Sequence, residues 1–188
     1  MQNKIPKIYY FINECNLADL RKLGKNISLI YRNYQKKVSY KELLSIKKFC
    51  KLTKRKFFIS NNIRVALNLK LDGIYIPSFN KKINYLSSFS FPSKFEIIGS
   101  AHNYTEAQIK KKQGCKEIFI SPIFKVIKNK RNLNIYNFNK LTRDKNLNYI
   151  ALGGISEKNY KKIRLTKSVG FAGISWIKKN GLRKLRPF

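Results

Sequence analysis

Acidic side chains are scarce. Nine Asp and Glu face 41 Lys and Arg, so the 188-residue chain carries a formal net charge of +32. An imbalance of that size invites a nucleic-acid or anionic-membrane partner. The lysines, however, are spread over nearly every segment and travel with a surplus of Asn, Ile, Phe and Tyr, the set an A/T-rich coding bias favours. No helix-turn-helix, zinc-finger or RNA-sheet motif accompanies them. A solvated basic surface without a specific nucleic-acid partner is therefore expected, although the patches at Lys110 to Lys112, Lys125 to Arg131 and Lys178 to Arg186 are dense. Cysteine is sparse too: Cys15, Cys50 and Cys115 are odd in number and form no CxxC pair, which excludes a zinc knuckle and a complete disulfide framework. Long apolar runs are missing. The stretch 1–13 is broken by Lys7 and followed by no small-residue cleavage site, so we expect no membrane span and a cytoplasmic location. His102 is the single histidine.

What is present is a core. An apolar share of 43%, with 13% aromatics, supports a folded globule over a disordered chain. One domain over residues 1–188 is expected. Short apolar and β-branched runs alternate with stretches of helical period, the sign of repeated βα units around a parallel sheet. Strands are predicted at Ile8 to Ile12, Ile27 to Arg32, Lys56 to Ser60, Gly73 to Ile76, Phe95 to Gly99, Glu117 to Ser121, Tyr149 to Leu152 and Val169 to Ile174. Helices are predicted at Leu17 to Leu23, Tyr40 to Leu52, Asn61 to Leu71, Thr105 to Lys112, Phe138 to Asp144 and Glu157 to Leu165. Ser39 with Glu42 forms a capping-box pattern ahead of the second. The Ser-, Phe- and Lys-rich stretch Asn80 to Ser93 predicts a degenerate helix or loop. The fold class is therefore α/β: a compact (β/α)8 TIM barrel with shortened or degenerate helices.

In such a barrel the last inward side chains of each strand converge on the C-terminal mouth. Arg32, Ser60, Asn61, Pro77, Ser78, Ser100, His102, Ser121, Gly153, Gly154, Ile174 and Ser175 would share that opening. Gly153-Gly154 after the seventh strand and Ile174-Ser175 after the eighth would present peptide N–H groups to a phosphate. Arg32 follows the uncharged inward positions Ser28 and Ile30, so its guanidinium calls for an anion or water. His102 is the one imidazole able to accept and return a proton near neutral pH; equally, a lone loop histidine is a surface or structural residue. Lys125, Lys128 and Lys130 follow strand six, where one could close over an anionic substrate.

Ile98-Gly99-Ser100-Ala101-His102, Thr105-Glu106-Ala107, Ser121-Pro122-Ile123-Phe124, Ala151-Leu152-Gly153-Gly154-Ile155 and Gly170 to Ser175, taken in order, resemble the thiamine phosphate synthase and TenI superfamily. The resemblance spans nearly the whole chain and implies thiamine biosynthesis, with thiazole phosphate or thiamine phosphate as ligand and room for a homo-oligomer. In the synthase branch a Gln, Arg, Lys series projects from strand two and two aspartates hold magnesium. Here Ile30, Arg32 and Tyr34 stand in the series, Asn61 and Asn80 at the aspartates, and Val126 and Lys128 where the loop after strand six carries threonines. The Ser100-Ala101-His102 step and Pro77-Ser78 look closer to the TenI branch, which implies a metal-independent thiazole tautomerase with His102 moving the proton. In that scheme Arg32, Ser100, Gly153, Gly154, Ile174, Ser175 and Lys130 bind substrate, and no cofactor is expected. Three alternatives stay open: a divergent synthase, for which Mg2+ would be required; a non-catalytic protein binding thiamine-pathway phosphates; and a basic nucleic-acid-binding protein.

Overall fold

Eight parallel strands close on themselves in sequence order, β1 pairing with both β2 and β8. The computed structural model describes residues 6–36, 39–126 and 132–181, without the side chain of Asn180. The strands are β1 (Lys7–Ile12), β2 (Ile27–Tyr31), β3 (Phe57–Ser60), β4 (Gly73–Ile76), β5 (Glu96–Ala101), β6 (Glu117–Ile120), β7 (Asn148–Leu152) and β8 (Gly170–Gly173). All eight predicted strands are present, with ends shifted by a residue or two.

Alternation along each strand divides the core in two. Tyr9, Phe11, Ile30, Phe58, Tyr75, Ile98, Phe119, Ile150 and Ala172 point inward and fill the barrel. Their neighbours Ile8, Tyr10, Ile12, Leu29, Ile59, Ile74 and Ile118 point outward beneath the helices. The interior is aromatic and packs edge to face: Tyr9 with Phe119 at 4.9 Å, Phe11 with Tyr75 at 5.2 Å and Tyr75 with Phe119 at 5.6 Å between ring centroids. Each such pair adds about 0.5–1.5 kcal/mol beyond burial.

The outer layer is thin, as the length requires. Its helices are α1 (Leu17–Arg21), α2 (Tyr40–Leu52), α3 (Ile63–Asn68), α4 (Tyr104–Lys112), α5 (Asn134–Leu141) and α6 (Ser175–Asn180). Single 3-10 segments, Ile83–Leu86 and Tyr160–Leu165, stand where helices after β4 and β7 would lie. Asparagine caps replace long helices: Asn16, Asn62 and Asn103 accept from the backbone N–H three residues on, at 3.1, 3.2 and 2.9 Å.

Three local expectations need correction. The Ser39–Glu42 capping box is half formed: Ser39 accepts from the Glu42 N–H at 3.4 Å, but the Glu42 carboxylate accepts instead from the Cys15 N–H and the Tyr31 hydroxyl. That carboxylate ties α2 to the loop after β1, a tertiary use that outcompetes the local one. The fifth helix starts four residues early because Asn134 caps Asn137 at 3.0 Å. The segment predicted as a helix from Glu157 begins late and is 3-10, because Asn159 bonds Ser156 N–H and Gly154 C=O and so commits its backbone to the turn.

At the opposite, N-terminal end of the barrel, Glu117 is almost fully buried, paired with Lys7 and accepting from the Tyr9 hydroxyl at 2.6 Å. Lys56 and Glu96 make a second, more exposed pair on the same rim.

Candidate active site

Arg32 sits where predicted, at the mouth. Its N–H donates to Ile12 C=O at 2.7 Å, extending the β1–β2 ladder by one step, and its guanidinium lies 4.6 Å from the Phe11 ring centroid. Tyr75, buried below, interacts through its hydroxyl with Ser100 and Arg32; burial is the leading influence and pushes this phenol up to about 12, so it stays protonated. No carboxylate among the described residues pairs with Arg32. Beside it opens a cavity of about 490 Å³ whose lining includes Arg32, Tyr34, Ile174 and Lys178 together with Glu14 and Asp19.

The turns after β7 and β8 meet because Leu152 is in register with Ala172. Gly153 and Gly154 have φ of +90° and +69°, and neither has room for a side chain. A Cβ on Gly153 would lie 2.8 Å from Pro122 Cα, and one on Gly154 would lie 2.5 Å from Phe124 C=O. The loop after β6 is pressed onto this turn by Ile123 N–H to Leu152 C=O at 2.9 Å and Phe124 N–H to Gly153 C=O at 3.1 Å. The N–H groups of Gly154 and Ser175 have no acceptor among the described residues, and Ile174 and Ser175 are exposed. Lys130 and Lys128 lie outside the described residues; Lys125 is exposed.

His102 follows β5, half exposed, and does not line the cavity at Arg32. Glu106, one turn into α4, accepts from both its backbone N–H at 2.8 Å and its Nδ1 at 3.0 Å. Partial burial of Glu106 acts upward, yet these bonds outweigh it and hold the carboxyl below its ordinary range. A carboxylate on Nδ1 fixes the ring and leaves Nε2 for a partner.

Asn61 and Asn80, which the resemblance sets in the place of two aspartates, form a closed pair. Asn80 Nδ2 donates to Asn61 Oδ1 at 2.7 Å, and Asn61 C=O accepts from the Tyr85 hydroxyl at 2.9 Å. Tyr34 bonds Ser60 at 2.6 Å and packs edge-on against Phe79 at 5.4 Å. Two neutral amides that satisfy one another do not fit a hard dication, which takes anionic oxygens. Among the described residues no cluster of His, Cys, Asp or Glu is placed to hold a metal.

The sequence profile of the family described as thiamine monophosphate synthase matches residues 17–177. The chain belongs to the thiamine phosphate synthase/TenI superfamily. Thiamine-phosphate synthases from Prochlorococcus marinus strains AS9601 and SARG are 31% identical over 77% of this chain and 36% identical over 73% of it. The chain spans only 37% and 38% of the length of those two relatives. A thiamine-phosphate synthase from Fusobacterium nucleatum is 25% identical over 93% of this chain and 88% of its own length. In fold, the thiamine phosphate pyrophosphorylase of Pyrococcus furiosus superposes with a TM-score of 0.74 at 19% identity, covering 98% of this chain and 96% of that one. No helix among the described residues is long and apolar enough to cross a membrane.

One residue whose position the sequence pattern does not plainly reveal is Lys110. It is fully buried on α4, donates through Nζ to Asn80 C=O at 2.6 Å and to Gln113 Oε1 at 2.9 Å, and meets no carboxylate among the described residues. Gln113 Nε2 donates to Asn80 C=O and Lys82 C=O at 3.1 and 2.8 Å, so the two side chains pin the loop that carries Asn80. The signal was its spacing: Lys110 lies three residues from both Ala107 and Gln113, on the helix face turned to the sheet, within a triple lysine that reads as solvated. Burial pulls its ammonium down to about 8 from 10.5, against smaller raising influences of Cys115 and Glu106. Between those values the unfolded chain binds more protons than the folded one, so stability rises with pH across that window. Urea melts near pH 7.5 and pH 10 are expected to show a gain larger in the parent than in Lys110→Met, by up to about 3 kcal/mol. Equal gains would mean that some other group titrates.

Proposed function

We propose that this chain holds a thiazole phosphate at the barrel mouth and couples it to a pyrimidine diphosphate, giving thiamine phosphate and pyrophosphate. The observation that carries this reading is the Arg32 guanidinium, paired with no carboxylate among the described residues and set over Phe11 in a cavity that Ile174 also lines. A cation held against an aromatic face, at the same barrel mouth as the Gly154 and Ser175 amides that have no acceptor among the described residues, makes a receptor for phosphate oxygens. The names of the relatives support the coupling reaction over tautomerisation. Gly153, Gly154, Ile174 and Ser175 would hold the thiazole phosphate through main-chain donors, Ser100 and Tyr75 would orient Arg32, and Lys130 would reach over the substrate. Magnesium does not fit Asn61 and Asn80, so no step is assigned to it; the diphosphate is met by Arg32.

A second reading rests on the His102–Glu106 pair, an oriented imidazole suited to moving a proton in a thiazole carboxylate phosphate. One assay separates them. The purified chain is given pyrimidine diphosphate and thiazole phosphate, with and without added Mg2+, and pyrophosphate is measured. Release is expected, with Arg32→Met lowering kcat/KM by about a hundredfold or more. If no pyrophosphate forms, while the thiazole carboxylate phosphate is isomerised by the parent and not by His102→Asn, the tautomerase reading replaces the synthase one. Saturable binding without either turnover would leave a non-catalytic phosphate-binding protein.

A further inference from the structure

A second cavity, of about 470 Å³, opens at the N-terminal end of the barrel, opposite the mouth. It lies between the C-terminal end of α2, the turn after α3 and the starts of β3 and β4, and its cationic lining comprises Lys47, Lys51, Lys54, Arg55, Lys56 and Lys70. The only acid in that lining is Asp72, whose Oδ2 already accepts from the Phe57 N–H at 2.8 Å. Two of the cations are also committed. Arg55 donates to the carbonyls of Gly24, Ile27 and Leu23 at 2.7, 3.3 and 3.2 Å, and Lys56 pairs with Glu96. That leaves Lys47, Lys51, Lys54 and Lys70 around one concavity, none paired with a carboxylate among the described residues.

Two of these four sit where lysine is an unexpected choice. Lys54 and Lys70 follow helices α2 and α3 with φ of +54° and +45°, the left-handed position that favours Gly or Asn. Each therefore carries a backbone cost and aims a charge at the same cavity. The apolar floor, Phe57 and Leu71, is buried, so no aromatic face is offered for a base to stack on. Surplus positive charge around one concavity and the lack of a stacking platform together select a compact anion over a nucleic-acid strand.

We propose that this cavity is an anion site for a small ion carrying two or more linked phosphate groups. Its size lies within the range of small-ligand pockets, about 300–1,000 Å³, and four ammonium groups match several phosphate oxygens better than a single carboxylate. Binding relieves the mutual repulsion of the lysines and is weakened by salt.

The test titrates tripolyphosphate into the full chain by calorimetry, in an Arg32→Met background so that the mouth does not contribute its cation. Lys51→Gln, Lys54→Asn and Lys70→Asn are combined; Asn suits the left-handed turn, so the thermal midpoint is expected to hold or rise. Affinity is expected to fall about tenfold or more, a shift of at least one decade in Kd. The charge-matched Lys158→Gln, Lys161→Gln, Lys162→Gln variant, on the segment after β7, is expected to stay within about twofold. Equal loss in both variants, or no loss in the first, overturns the site. So does oligonucleotide binding that tightens with length and is not displaced by tripolyphosphate.

Discussion

Gly154→Val is expected to weaken thiazole phosphate binding severely while the barrel still forms. Two costs coincide at this position. The backbone is left-handed at φ +69°, which for a β-branched residue costs about 1–2 kcal/mol. A Cβ would also lie 2.5 Å from Phe124 C=O and 2.6 Å from Lys125 C=O, both backbone atoms that cannot swing aside. Either the turn opens or the loop after β6 lifts away, and in both cases the Gly154 N–H is displaced. Urea melts are expected to lose about 2–4 kcal/mol, a range for a clash added to backbone strain. Binding by calorimetry is expected to weaken by about a hundredfold or more, roughly 2.7 kcal/mol. Ser175→Ala is the contrast: it removes a hydroxyl and keeps the N–H, so affinity is expected to change by less than about threefold if main-chain donors hold the phosphate. A large loss in Ser175→Ala together with a mild one in Gly154→Val would reverse the assignment from backbone to side chain.

The second large effect is at the other end of the barrel. Glu117→Ala is expected to destabilise the fold by about 3 kcal/mol, with the mouth's ligand affinity unchanged in the fraction that remains folded. The Glu117 side chain is 6% exposed and the Lys7 side chain 48%, so the lysine regains water when its partner is lost. Tyr9 does not. Its hydroxyl is buried inside the barrel, donates to Glu117 at 2.6 Å, and is held protonated by burial first and by the nearby carboxylate second. Removing the acceptor strands that hydroxyl and leaves a void beneath Phe119. Tyr9→Phe removes only the hydroxyl donor, and Glu117 keeps Lys7 as its partner, so a cost of only about 1 kcal/mol is expected. In a double-mutant cycle, Tyr9→Phe should recover part of the Glu117→Ala loss. Additive losses would show that the carboxylate acts through Lys7 or the backbone instead.

How legible the molecule was depends on the range of the interaction that settles each part. Short apolar runs such as Tyr9-Tyr10-Phe11-Ile12, separated by stretches of helical period, are local signals, so the eight strands and the barrel class could be read directly. The same logic placed Arg32 and Gly153-Gly154 at strand ends. Boundaries failed where a side chain bonds across elements: Glu42 was drawn from its cap to Cys15 and Tyr31, and Asn159 to Gly154. His102 was placed by its position after β5; its bond to Glu106, one turn into α4, is a contact that position alone does not give. Lys110 was hidden in a triple lysine whose other members face solvent.

The linear order of residues thus determined an eight-stranded barrel and the strand ends where chemistry gathers, because hydrophobic periodicity and turn glycines act over a few residues. Only the folded chain decided that Asn61 and Asn80 close on each other, that Lys110 is buried with no carboxylate partner among the described residues, and that four lysines share a cavity at the far end. Those outcomes depend on distances between residues remote in sequence, and burial or charge has no value until such distances exist.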